Sequence, residues 1–324
     1  LITRTNVIYC ILNPMKIIVT HTSPDWDAIG SVWLIKKFLP GWKDAVIEFV
    51  PAGEKSDKIK NKKNTWRGTV EKINDNEIIH VDTGLGPLDH HQTQDLNVSA
   101  ASLTWDYVRT EVKKQGGNIP EEHNAAISRI IKVIVDTDHF KEVFWHDPAS
   151  DIYEFSLLGV LEGLKYEKPN KDLEYLKFGI ECLDALVAQF ENRIWAEKEI
   201  SEKGIKFQTR FGPAMGFETL NDTVLKLAQK MGYVLVVRKD PRKGYVRIKA
   251  LPASPKTASR GGPDGERKSP DLTLAYEQLK KIDPDATWFL HVSKKMLLNG
   301  SPKNPKMRPS KLKLNDIIKV LEKI

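Results

Sequence analysis

The chain has 324 residues, 40% of them hydrophobic and 29% charged, the composition of an ordinary globular protein with room for two domains. No apolar run approaches the roughly 18 residues of a membrane helix, and two cysteines, Cys10 and Cys182, are too few for a disulfide framework or a cysteine-built zinc site. A reducing cytoplasm fits that usage, and a net charge of +7 permits an anionic partner without requiring one.

Residues 1–14 precede the first methionine, Met15, and read as a start-site overcall or a disordered extension. Their short apolar run lacks the small-residue cleavage site of a signal peptide. Residues 16–20 predict a buried strand, and 28–39 a helix with apolar residues at helical spacing, stopped by Pro40-Gly41. Strands are expected at 45–50 and 77–81, and helices at 99–114 and 121–135. Such alternation predicts an α/β domain with a mostly parallel sheet over 15–165. A long amphipathic run then makes 166–204 a helical connector. Beyond Gly204 the pattern changes. Residues 232–237 and 245–251 predict a hairpin about the 239–244 turn, 287–292 a further strand and 313–324 a closing helix. Residues 205–324 are therefore expected to form a smaller α+β domain.

Three clusters carry chemistry. The first, His21-Thr22-Ser23-Pro24-Asp25-Trp26-Asp27, sits where a strand ends and a helix begins, and ligands of open α/β sheets bind beyond the carboxyl ends of strands. One Asp there would read as a helix cap. Two carboxylates and an imidazole in one loop call for a cation between them. The second cluster puts Asp82 at the end of a buried strand and follows it with Asp89-His90-His91-Gln92. Adjacent histidines are expected to point in different directions, one to a metal and one to substrate; the plainer reading is a polar surface. In the third, Val135-Asp136-Thr137-Asp138-His139, Asp136 supplies a further carboxylate at the end of an apolar run, where an Asp is also common without any ligand. Asp and His ligands without Cys suit Mn²⁺ or Mg²⁺. Two such ions would clamp the attacking and leaving oxygens of a phosphoryl transfer.

In this order, His21-x-x-x-Asp25-x-Asp27, the strand-ending Asp82, Asp89-His90-His91 and Val135-Asp136-Thr137 resemble the four motifs of the DHH phosphoesterase superfamily. That superfamily includes RecJ-like exonucleases, nano-RNases, cyclic-dinucleotide phosphodiesterases and family II pyrophosphatases. The resemblance covers 16–140 and implies two divalent cations, Mn²⁺ ahead of Mg²⁺. One would sit at His21, Asp25 and Asp82, the other at Asp27, Asp82, His90 and Asp136. Asp82 would be the bridge, and His91 would face the phosphate. Only six residues separate Asp82 from Asp89. That spacing, with Gln92 after the triplet, is similar to the melanocyte proliferating gene branch, whose members are implicated as RNA exonucleases. The first motif is closer to the general superfamily.

The region after 204 would correspond to the substrate-binding domain of such enzymes, which usually carries a Gly-rich motif with a His. The nearest match, Ser259-Arg260-Gly261-Gly262-Pro263, lacks the His. Arg260, Gly261 and Gly262 could cradle phosphate or form an exposed loop. His291 could reach an interdomain cleft or be a satisfied polar residue. Residues 294–324 hold nine Lys or Arg against two acids, either a solvated tail or a surface for phosphate backbones. The expected function is hydrolysis of phosphodiester bonds in RNA or short oligonucleotides, with no membrane partner. The alternatives are hydrolysis of a small phosphorylated compound, such as a cyclic dinucleotide or pyrophosphate, and non-catalytic nucleic-acid binding.

Overall fold

Ile17, Ile18 and Val19 are apolar without alternation, the pattern of a strand covered on both faces, and all three are buried. They form the middle of β1 (Lys16–His21). The computed structural model that shows this describes residues 15–58, 66–73, 75–252, 270–300 and 304–324. The 1–14 leader with Cys10, and Arg260, Gly261 and Gly262, lie outside the described residues.

The chain divides into two units, one ending at Glu191 and the other running from Asn192 to Ile324. After β1 the first unit holds α1 (Trp26–Phe38), β2 (Val46–Val50), β3 (Glu71–Ile73), β4 (Asn76–His80), α2 (Ala100–Lys114) and α3 (Glu121–Asp138). A 3-10 turn at Lys141–Phe144, α4 (Asp151–Glu154), α5 (Leu157–Glu167) and the start of α6 (Asp172–Lys203) complete it. Its four-stranded sheet has the order β2-β1-β4-β3. The strands β2 and β4 run parallel to β1 on either side, and only the edge strand β3 is antiparallel. The mostly parallel sheet expected from the alternation is therefore present.

Register positions the site. Val19 pairs with His80, and the Val81 N–H donates to the Val19 carbonyl at 2.9 Å. His21 and Asp82 consequently leave the sheet side by side. Ile18, Ile79 and Val81 pack on one face against α1, α2, α3 and the first half of α6, while Ile17, Val19 and Ile78 belong to a cluster on the other face. Gly30 lets α1 approach its neighbours, since a Cβ there would lie 2.9 Å from Ile134 Cδ1.

The second unit contains the end of α6, then β5 (Ile205–Thr209), β6 (Gly212–Glu218), α7 (Thr223–Lys230), β7 (Leu235–Lys239), β8 (Val246–Ala250), α8 (Thr273–Ile282), β9 (Trp288–Leu290), β10 (Met296–Asn299) and α9 (Leu314–Leu321). Its sheet has the order β5-β6-β7-β8-β10-β9 and is antiparallel except for the β6–β7 pair, which α7 connects. The expected β7–β8 hairpin is there. Helices α8 and α9 cover one face; α7 and the end of α6 cover the other.

The run expected as a connector contributes buried residues to a core in each unit. Tyr175, Leu176, Leu183 and Val187 of α6 belong to the first core, and Ala196 and Ile200 to a core of the second unit. Among the described residues no helix is long and apolar enough to cross a membrane.

Gly179 is the tightest point of α6 against α1. A Cβ there would lie 2.6 Å from Cγ2 of Ile29, which is fully buried. Gly179→Val should therefore destabilise the first unit by about 1–3 kcal/mol through overpacking. Urea unfolding followed by circular dichroism checks it, and an unchanged midpoint would contradict this packing.

Candidate metal centre

At the end of β1, a carbonyl fixes the orientation of His21. Its Nδ1–H donates to the Thr22 carbonyl at 2.8 Å, which turns Nε2 toward Asp82 Oδ2 at 3.2 Å and Asp25 Oδ2 at 3.9 Å. An imidazole held through Nδ1 by a backbone carbonyl, with Nε2 turned toward carboxylates, is an arrangement that could serve a metal ligand. Asp25 divides its oxygens between two tasks. Oδ1 caps α1, accepting from the Asp27 and Ala28 N–H groups, and Oδ2 faces His21. The helix cap weighed from sequence is thus real and consumes only one oxygen.

Asp27 points the other way, off the buried face of α1. Both its oxygens accept backbone N–H groups from the first turn of α2, those of Ala100 and Ala101, each at 2.7 Å. Two N–H donors and a helix N-terminus stabilise the charge of a carboxylate that is only 1% exposed. Ser99 caps the same turn through a capping box with Ser102.

Asp82 follows β4 in the left-handed region at φ 54°, unusual outside glycine. Its N–H is held by the Leu88 carbonyl at 3.0 Å. Asp89 folds the loop between them by accepting the Leu85 N–H at 2.7 Å, and it also accepts His91 Nδ1–H at 2.7 Å. Gln92 donates to the Gly86 carbonyl at 2.8 Å and closes the same loop. Asp89 therefore orients its neighbours. His80 belongs to none of the candidate ligand groups: its Nε2 accepts the Ser56 N–H at 3.1 Å, and burial, with Lys55 nearby, pushes it down to about 4.

Contrary to the sequence reading, His90 and His91 do not diverge. Their rings stack, with centroids 4.4 Å apart. The alternation assumed for neighbours belongs to strands, and here the chain is turning. His90 Nδ1 lies 3.4 Å from Asp27 Oδ2 and 3.7 Å from Asp82 Oδ1, and its Nε2 lies 3.2 Å from Asp138 Oδ2. His91 Nδ1 is 3.8 Å from Asp82 Oδ1, and its side chain is largely exposed.

The third carboxylate of the cluster is Asp138 rather than Asp136. The carboxylate of Asp136 pairs with Lys132 and Lys141, each at 3.2 Å. The reason is helical phase. The helix α3 runs on to Asp138 and buries Ile127, Ile130, Ile131 and Ile134. Asp138 is four residues beyond Ile134 on that stripe, whereas Asp136 is turned some 200° from it at about 100° per residue. The sequence signal was present in the apolar stripe, which was read as ending at Val135. His291 is also placed: its Nδ1 is hydrogen-bonded to Ser293 at 2.8 Å within the β9–β10 turn, a satisfied polar residue.

Three ligand groups result: His21, Asp25 and Asp82; Asp27, His90 and Asp138; and Asp82, Asp89, His90 and His91. Each could hold a metal ion. The fit rests on buried atoms that make no hydrogen bond and meet one another only at ion-pair distances. Asp82 Oδ1, His90 Nδ1 and Asp138 Oδ2 are buried and engaged in no hydrogen bond, although each lies near another ligand. Protonation shows the same strain. Burial, reinforced by the charges of Asp27 and Asp25, holds Asp82 well above the usual carboxylate range. Asp138 is pushed up to about 6 by burial and by Asp27. Burial opposes charge on His21, but the Asp82 hydrogen bond and the Asp25 charge raise it to about 9. The nearby Asp27 carboxylate raises His90 to about 9 against its burial.

No family model matches the chain, and no curated protein matches it.

A metal must displace the protons on His21 and His90, so binding should strengthen as pH rises toward about 9 and level off above it. Calorimetric Mn²⁺ titration from acid to alkaline pH reads this, along with proton release to the buffer. In the same titration Asp138→Asn should weaken binding by roughly tenfold or more, and Asp136→Asn should leave it unchanged. Equal losses in the two variants, or affinity independent of pH, would contradict the ligand assignment.

Proposed function

We propose that the protein is a metal-dependent phosphoesterase that hydrolyses phosphodiester bonds, with RNA or short oligonucleotides as substrate. The observation that carries this reading is the placement of Asp82. Its Oδ2 faces His21 at 3.2 Å while its Oδ1 faces His90 at 3.7 Å. One carboxylate thus stands between two ligand groups, as a bridging ligand must. Divalent cations bound there, Mn²⁺ ahead of Mg²⁺ because histidines stand among the carboxylates, would supply Lewis acidity toward phosphoryl oxygens and an acidified water.

The chain's own residues would divide the remaining tasks. The N–H groups of Ala100 and Ala101 hold Asp27 in one orientation, and the Thr22 carbonyl does the same for His21. Asp89 fixes His91 through Nδ1, leaving Nε2 free on an exposed ring. In its protonated form His91 would donate from Nε2 to the departing oxygen. The water oxygen bonds to phosphorus and gives up one proton to solvent, the ester P–O bond breaks, and the leaving alkoxide takes the proton from His91. No Cys or Ser nucleophile enters. The excess of Lys and Arg over acids in 294–324 favours a polyanionic substrate.

Incubation of an end-labelled RNA oligonucleotide with the full chain and Mn²⁺ tests the reading. Stepwise shortening is expected, with Asp82→Ala slower by more than about a hundredfold, beyond the loss typical of a supporting residue. Hydrolysis by Asp82→Ala at the wild-type rate, or hydrolysis that persists in a chelator, would contradict it.

A further inference from the structure

On one face of the second unit's sheet, α7 and the end of α6 pack against Met215, Phe217 and Val236, all from β6 and β7. Strand pairing continues that face past β7. Arg238 pairs with Arg247, Arg247 with Leu298 and Leu298 with Phe289, so one row crosses β7, β8, β10 and β9. The row beside it runs from Val236 through Lys249 to Met296. Residues two apart on a strand share a face, so Arg247 and Lys249 stand together. Arg247, Lys249, Met296 and Leu298 are half-buried, and Phe289 is 49% exposed at the end of its row.

The charges on this face do not balance. Asp222 engages both Arg238, whose Nε lies 2.7 Å from its Oδ1, and Arg247. Asp240 also lies near Arg238. Among the described residues neither Lys249 nor Lys226 of α7 is paired with a carboxylate. Burial, with the charges of Arg247 and Lys226, pushes the Lys249 ammonium below the usual lysine range. A half-buried cation among like charges is stabilised by an anion brought to it. The apolar part of the face narrows the choice of anion. An acidic peptide would use the cations and leave Leu298 and Phe289 in water. A nucleic-acid strand uses both, with phosphates on the cations and a base on the aromatic ring. Stacking on Phe289 needs a base with a free face, which a single strand offers and a duplex does not.

We propose that this sheet face binds single-stranded nucleic acid, with its phosphates on Arg247 and Lys249 and a base stacked on Phe289. The surface is a handhold and not a place of chemistry, since none of the three ligand groups draws on the second unit. It goes beyond the phosphoesterase reading and does not depend on it. Sequence preference is expected to be weak, because every base has a π-face and the cations meet only the backbone.

The test is fluorescence anisotropy of a labelled oligouridine of about ten nucleotides, titrated with the full chain in EDTA. With no divalent ion present the carboxylates of the metal centre repel phosphate, so the signal reports other surfaces. Saturable binding that weakens as salt rises is expected. Phe289→Ala should weaken it roughly fivefold or more, the loss of one base–aromatic stack. Lys249→Gln should weaken it too, and should lower the slope of log affinity against log salt by about one. Lys281→Gln, exposed on α8 across the sheet, should bind as the wild type does. Thermal unfolding establishes that all three variants are folded. Absence of binding, affinity unchanged in both Phe289→Ala and Lys249→Gln, or equal affinity for duplex RNA overturns the proposal. So does polyglutamate bound as tightly as the oligouridine, which would assign the face to an acidic peptide, or self-association that Phe289→Ala abolishes without any RNA binding, which would assign it to a second copy. Oligouridine binding without hydrolysis of any phosphodiester in Mn²⁺ would sink the phosphoesterase reading and leave this face standing. Hydrolysis of RNA by a chain whose affinity none of the substitutions alters would do the reverse.

Discussion

Carboxylates crowded in a buried place repel one another, and the first unit is organised around that repulsion. Asp27 is 1% exposed and Asp82 3%, with Asp25 and Asp138 alongside. Such a set folds only when something positive faces it. Without metal, the positive groups are the N-terminal N–H groups of α2 and the imidazoles His21 and His90. The last two are raised to about 9, so their protons are held where a cation would sit. The same groups could hold a metal ion in place of those protons.

The fold brings the charges together economically. Parallel strands β1 and β4 end at one edge, so the loops after them share a space. One loop enters α1 and supplies His21, Asp25 and Asp27; the other supplies Asp82, Asp89, His90 and His91. The C-terminus of α3 adds Asp138. The residues that brace the cluster are placed as specifically as those within it. Asp89 braces the loop and His91, and Thr22 aims His21 with its backbone carbonyl.

Much of this was legible in the sequence because strand ends are. A run such as Ile17-Ile18-Val19 followed by His21 and Asp25 announces a buried strand that leads into a polar loop, and Asp82 after Ile78 and Ile79 repeats the signal. Asp138 was missed because the apolar run before it was read to end at Val135, when the helix continues and its phase, rather than the nearest Asp, selects the inward carboxylate. The stacking of His90 on His91 depends on a turning backbone shaped by Asp82 and Leu85 at positive φ, which no periodicity encodes. In the second unit β6 escaped notice because its Gly, Pro and Ala residues carry little strand propensity. The parallel pairing of β6 with β7 is a tertiary outcome. The halves of α6 lie in two different cores, so an amphipathic run that reads as a connector is also packing material for both.

The central claim is that Asp82 joins two metal positions. Crystals of the full chain grown with Mn²⁺, with anomalous diffraction recorded at the manganese edge, test it most directly. The account predicts two peaks about 3.5–4 Å apart, one among His21, Asp25 and Asp82 and the other among Asp27, Asp82, His90 and Asp138, with the Asp82 carboxylate touching both. Peaks confined to surface carboxylates, or a single ion with no contact to Asp82, would contradict it.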